Sequence, residues 1–224
     1  MGAFHGLYGL IVSLGRSLDG VASLLLRLIL APVLFASGWE KLNGENWFMH
    51  TMDSFPFPFN VIPPEISWQL ATWTELVGGV CLLIGLAVRW VSIPAMVVMF
   101  VAAWSVHLDN GWPAIAPSFP DEICIEGTEA ATESSLPDRI ARCYNVNQRT
   151  IEASQRLARG RAIMTEHGNS QWLNEYGPFV KLNNGIEFAA MYFAMLFALW
   201  TIGGGRWFSL DYWIALLSGN SNRY

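Results

Sequence analysis

Four side chains able to exchange protons or hold a charge sit inside or at the edge of strongly apolar stretches: Lys41, Glu75, His107 and Glu187. Glu75 is the most exposed to consequence, because it lies within about twenty apolar or small residues of the run Trp68–Trp90. A carboxylate at that depth costs on the order of 2–3 kcal/mol against lipid, so it must face protein or water. On a helix, Glu75 shares a face with Gly78, Gly79, Leu82, Gly85 and Leu86, a small-residue surface suited to close helix packing. Glu75 and His107 are therefore candidate proton acceptors. Lys41, Glu187, Asn184 and Trp39 are candidate contacts for a ligand lying between them. An apolar slot with donors at a carbonyl oxygen is what a quinone-type ring requires. The alternative is that Lys41–Glu75 and His107–Glu187 are structural pairs joining helices.

The elements that must position these groups are membrane helices. Hydrophobic residues make up 53% of the 224 and charged residues 14%, the balance of a membrane protein rather than a soluble domain. Net charge is −5, with no basic block or interleaving of arginine and aromatic residues, which excludes nucleic acid as a partner. Apolar runs of crossing length fall at about 21–38, 68–88, 91–106 and 185–202. The first carries Arg27, Ala31, Leu34, Gly38 and Lys41 on one face, and the third ends at His107. The expected fold is an all-α membrane protein, a four-transmembrane-helix bundle forming a single domain over residues 1–224. Interfacial amphipathic helices are expected at both termini: residues 1–20 with Leu7, Leu10, Ile11, Leu14 and Leu18, and the tail Arg206–Trp213. The N-terminus lacks a basic region and a cleavage site, so no removable signal peptide is expected.

Two connections break the pattern. Residues 42–67 contain FPFPFNVIPP, where proline density forbids regular helix and the phenylalanines suit the headgroup layer. Met49, His50 and Met52 in this loop place two soft sulfurs around an imidazole, a set able to hold Cu(I), but no third strong ligand follows, so packing at an interface is the favoured reading and no metal site is assigned. Residues 108–182 form a polar insert, in which Asn147–His167 reads as an amphipathic helix with Ile151, Leu157, Ala158, Ala162 and Ile163 near one face. Arg16, Arg89, Arg206 and Arg223 share the side of both termini, which the positive-inside rule makes cytoplasmic. The insert is then an extracytoplasmic helical cap, in a bacterial periplasm, where Cys124 and Cys143 are placed to form a disulfide.

These runs resemble the DoxX family of small four-helix bacterial inner-membrane proteins. The resemblance rests on RLILAPVLFASGWEKL, on TELVGGVCLLIGLAVR, on a third helix ending in histidine, and on GGGRWFSLD after the fourth. The long insert and the FPFPFN loop are similar to a proteobacterial subgroup related to HvfX, associated with small copper-handling peptides. The resemblance implies a redox-linked membrane subunit that passes electrons or protons to quinone for a periplasmic oxidoreductase system. The alternative reading is a non-enzymatic membrane partner that docks a periplasmic or membrane protein, in copper-related peptide maturation or export. The chain has no CxxC, haem motif, flavin fingerprint or cluster of histidine ligands, and the resemblance brings no catalytic residue set with it.

Overall fold

The computed structural model describes residues 7–10, 12–13, 15, 18–119, 121–144 and 146–219. Among them the regular structure is helical, apart from one isolated bridge. The chain divides into two compact units, Met1–Val101 with Met191–Tyr224, and Ala102–Ala190.

The first unit is built on α1 (Asp19–Asn43), α2 (Pro64–Ile84), α3 (Val88–Ala102) and α8 (Glu187–Ile202), the last two entering it over most of their length. Leu30, Ala31 and Leu34 of α1, Leu82 of α2, Val88 and Ala95 of α3, and Leu196 and Leu199 of α8 make one buried core. Glycine lets the helices approach. A Cβ on Gly79 would lie 2.9 Å from Ala31 O and Phe35 N, and one on Gly38 would lie 2.8 Å from Leu76 N. The small-residue faces read from the sequence are thus the α1–α2 contact. Bulky apolar side chains point outward instead, among them Leu25, Phe35, Val77, Ile93, Val97, Phe193 and Phe197. The segments Gly20–Asn43 and Val88–Asn110 are long and apolar enough to cross a bilayer, while α8 is apolar but shorter.

Element boundaries differ from the sequence expectation where backbone chemistry intervenes. The prolines at 63 and 64 open α2 rather than closing the loop, because proline at the first helical position gives up no hydrogen bond. The helix then stops at Gly85, in the left-handed region with φ 71°, so the run to Trp90 is two helices. The tail forms α9 (Leu210–Leu217), capped by Ser209 Oγ, which accepts from Tyr212 N at 3.2 Å. At the N-terminus residues 7–10, 12–13 and 15 are helical with Leu7 and Leu10 exposed; Ile11, Leu14, Arg16 and Arg223 lie outside the described residues.

One end of this unit is held by hydrogen bonds to helix termini. Arg27 is fully buried and donates to Leu82 O at 3.2 Å and Leu83 O at 3.4 Å, in the last turn of α2, and to Phe208 O at 2.8 Å; Leu82 O also accepts from Gly85 N at 3.2 Å. Asp211 accepts from Ala87 N at 2.6 Å and Val88 N at 3.0 Å, opening α3. Arg89 donates to Thr201 O and Ile202 O at the close of α8, both at 3.3 Å. Ser23 Oγ donates to Gly203 O at 2.7 Å, and a side chain on Gly20 would collide with the backbone of Arg206. The stretch GGGRWFSLD therefore folds back over the α2–α3 turn and the start of α1.

The second unit contains a π-helical turn (Ala103–His107), a 3-10 turn (Leu108–Asn110), α4 (Glu129–Glu133), α5 (Leu136–Cys143), α6 (Gln148–His167) and α7 (Ser170–Leu173). Cys124 and Cys143 are joined by a disulfide. Asn147 caps α6 by accepting from Thr150 N at 2.9 Å. The buried stripe of α6 is Thr150, Ile151, Ala153, Ser154 and Leu157, and it ends there. Ala158, Ala162 and Ile163 are exposed, since the core that α6 packs on is the short set Ala116, Ala153 and Leu157.

The arginine cap predicts a specific loss. Arg27→Met would remove the side-chain donor from Leu82 O, which keeps Gly85 N, and from the part-buried Leu83 O and Phe208 O. At about 1–3 kcal/mol for each carbonyl left unpaired, unfolding in detergent followed by circular dichroism should show a loss of about 2 kcal/mol or more. Arg27→Lys, which keeps the charge but not the fork of donors, should recover only part of it.

Candidate functional site

In the first unit the last turn of α1 and the middle of α2 bring two of the sequence candidates together. Lys41 Nζ lies 2.7 Å from Glu75 Oε2 and donates also to Ser37 Oγ, one turn back on α1, at 2.7 Å. Glu75 is 2% exposed and Lys41 15%, so the pair is shielded on the carboxylate side and open on the ammonium side. Gly38, between Ser37 and Lys41, sets this distance: a Cβ there would lie 3.1 Å from Glu75 Cβ. The ammonium has three N–H bonds, and two are committed to Ser37 and Glu75.

The third side of Lys41 meets a cleft of about 320 Å³ whose wall includes Asn46, Glu65, Trp68, Gln69 and Thr72. Trp68 stands edge-on to Phe48 at 5.0 Å and to Trp47 at 6.1 Å, in a buried aromatic cluster completed by Phe55 and Ala71. The proline-rich loop thus contributes Phe48 and Phe55 as a floor beside the cleft. Met52 packs against this cluster while Met49 and His50 are exposed. Trp39 is exposed and stacks on Phe35, with ring centres 6.2 Å apart.

In the second unit the other candidates have different partners. His107 Nδ1 lies 2.9 Å from Asn184 O, and Asn110 Nδ2 donates to the same oxygen at 3.1 Å. A carbonyl oxygen only accepts, so the neutral ring carries its proton on Nδ1 and its lone pair on Nε2. Asn184 reaches this geometry in the left-handed region, φ 62°, which asparagine tolerates better than most residues. Glu187 Oε2 accepts from Ala114 N at 2.9 Å. Among the described residues no ion pair links His107 with Glu187. Asn183, buried, donates to Asn110 O and Pro113 O, both at 2.7 Å.

Residues 22–108 match the DoxX family. The matched segment contains α1, the proline-rich loop, α2, α3 and the turn to His107, and so the whole of the Lys41–Glu75 pair and its cleft. GGGRWFSLD and nearly all of the insert lie beyond it. An uncharacterised protein of Haemophilus influenzae is 43% identical over 94 residues, which cover 42% of this chain. The chain spans 62% of that relative's length. No solved structure matches. Over residues 22–108 the chain is similar to the DoxX family, and the apolar segments Gly20–Asn43 and Val88–Asn110 fit a membrane protein.

Arg27, Ser37 and Asp211 were not singled out as site or lock residues by the sequence. Arg27 carried one signal, a lone cation in an apolar run with no acid at helical spacing. Ser37 carried none, because its role depends on Lys41 folding back one turn.

The pair can be tested by a double-substitution cycle. Lys41→Met alone strands a buried carboxylate and should destabilise by on the order of 3 kcal/mol, whereas Lys41→Met with Glu75→Leu should restore most of that stability. Thermal unfolding in detergent reads both.

Proposed function

We propose that the protein is a multi-pass subunit of the bacterial inner membrane, both termini cytoplasmic, that takes a quinone-like ring in the cleft beside Lys41 for a periplasmic redox system. Four apolar helices around one core, each turning bulky apolar side chains outward, support four crossings. Arg89 and Arg206 lie together where α1 begins and α3 begins, and Lys41 lies at the far end of α1, which supports the orientation. The insert between α3 and α8 is then periplasmic, in keeping with its disulfide.

The observation that carries the reading is the Lys41–Glu75 pair at the wall of a cleft the size of one ring. Its lining fits such a group: Trp68 offers an apolar edge, and Lys41, Gln69 and Thr72 offer polar atoms. A quinone, when bound, supplies two-electron chemistry coupled to protons. Lys41 would direct its third N–H at a carbonyl oxygen in the cleft. Glu75 would hold that ammonium in place and serve as the proton acceptor behind it, with Ser37 fixing the lysine rotamer. His107, with Nε2 as the basic nitrogen, would be a second proton acceptor, and Asn184 and Glu187 shape its surroundings.

Protein purified in mild detergent should carry quinone detectable by mass spectrometry. Glu75→Gln, which keeps the shape but not the charge, should reduce the bound quinone at least about tenfold, the equivalent of about 1.4 kcal/mol. Equal quinone content in the folded variant would remove this reading.

A second reading is favoured by α5, where Leu136, Ile140 and Tyr144 are exposed at four-residue spacing, one apolar stripe on a disulfide-tied segment. In this reading the insert docks a periplasmic or membrane protein without chemistry of its own. Leu136→Asp with Ile140→Asp should then abolish co-purification of the partner while leaving the quinone content unchanged.

A further inference from the structure

The second unit holds a short two-stranded ribbon with its hydrophobicity inverted. Ile115 and Leu182 form an antiparallel bridge, with Ala116 N donating to Lys181 O at 2.9 Å and Asn183 N to Ala114 O at 2.9 Å. Side chains alternate across such a ribbon, so bridged residues share one face and their neighbours the other. The inward face is small or polar: Ala114 is 2% exposed, Ala116 4% and Asn183 8%. The outward face carries the large apolar groups, with Ile115 47% and Leu182 63% exposed. A ribbon facing water has the opposite arrangement, apolar inward and polar outward.

Chain connectivity limits how far that face can lie from the apolar helices. Ile115 is five residues past Asn110, where the apolar segment Val88–Asn110 ends, and Leu182 is five residues before Glu187, where α8 starts. Five extended residues reach roughly 18 Å at most. Both strands are therefore tethered within that distance of the end of an apolar helix. Residues suited to a water–lipid boundary surround the bridge in sequence: Trp112, Phe119, Trp172, Tyr176 and Phe179 are all exposed. Arg161 donates to Phe179 O through Nε at 3.0 Å and through Nη2 at 2.8 Å, which ties the backbone at Phe179, three residues before Leu182, to α6.

We propose that the Ile115–Leu182 ribbon is a membrane-surface anchor whose outward face lies in the headgroup layer of the bilayer. It sets the depth of the second unit at the points where the chain leaves and re-enters the membrane. The anchor rests on the reading of α3 and α8 as membrane crossings, and its test separates the two.

The experiment uses the full chain carrying Cys81→Ser, reconstituted in vesicles of phosphatidylethanolamine and phosphatidylglycerol. Bimane is attached in turn to Leu182→Cys, Ile115→Cys, Gln155→Cys on exposed α6, and Leu25→Cys and Val97→Cys on the outward faces of α1 and α3. Lipids bearing a nitroxide near the glycerol should quench bimane at 182 and 115, and aqueous iodide should quench it at least twofold less than at 155. Labels at 25 and 97 should be quenched by nitroxide placed deeper in the chain. Iodide access at 182 and 115 equal to that at 155, without lipid quenching, would overturn the anchor. Shielding of 182 and 115 from both quenchers would also overturn it, and would indicate a protein cover such as a second copy. If 25 and 97 also escape lipid quenching, the crossings fail and the anchor with them; if only 115 and 182 escape, the crossings stand and the anchor alone is lost.

Discussion

A helix that ends in apolar surroundings leaves backbone groups with no water to pair with, and the first unit is organised around meeting that demand. Three helix termini meet at one end of it: the close of α2, the opening of α3 and the close of α8. Cations sit where carbonyls are exposed, Arg27 at α2 and Arg89 at α8, and an anion sits where N–H groups are exposed, Asp211 at α3. Each sign agrees with the helix dipole it faces. Because Arg27 also binds Phe208 O, and Asp211 N donates to Gly85 O at 3.0 Å, the same bonds that complete the helices fasten the chain's return after α8. The glycines at 20 and 205 let backbone pass backbone here, while those at 203 and 204 make room for the Arg89 guanidinium and the Ser209 side chain.

With that end locked, α1 and α2 run side by side to the other end of the unit. There the contact between Gly38 and Leu76 brings Ser37, Lys41 and Glu75 within hydrogen-bonding distance. Packing and site are thus one interaction seen twice: a larger residue at 38 would push α2 away and lengthen the ion pair. The loop that follows α1 closes over its own aromatic cluster, which leaves the cleft bounded by Trp68 on one side and the lysine on another.

Much of this was legible in the sequence, and the part that was not has a common cause. The apolar runs, the small-residue faces and the placement of Lys41 and Glu75 follow from periodicity, because helical neighbours are fixed by spacing. The break at Gly85 was missed because leucine and alanine flank it and continue the apolar pattern, while a left-handed residue shows only in the backbone. Pro63–Pro64 was read as loop, although the second proline suits a helix start. Ala158, Ala162 and Ile163 were placed near a buried face by the same periodicity, but amphipathic spacing says which side would be buried and not how long the opposing surface is. The tail Arg206–Trp213 looked like an interfacial helix, and its Ser209 and Asp211 looked incidental. Ser209 bonds locally to Gly205 O and Tyr212 N, but the partners of Asp211 are backbone groups more than a hundred residues away, and backbone groups leave no trace in residue types.

Arg27 and the Lys41–Glu75 pair differ in one respect that bears on function. Arg27 answers a need the backbone creates: it supplies donors to Leu83 O, to Phe208 O and, beside Gly85 N, to Leu82 O, which no apolar residue can do. Lys41 and Glu75 answer no such need. Their partners are each other and a serine hydroxyl, and a pair of apolar side chains of similar volume would join α1 to α2 at equal or lower free-energy cost. Close packing at Gly38 and Gly79 already fixes the register of the two helices, so the ion pair is not required to specify it. A charge pair that neither the backbone nor the packing requires, open on the lysine side to a cleft of about 320 Å³, is the feature on which the proposed ligand role rests.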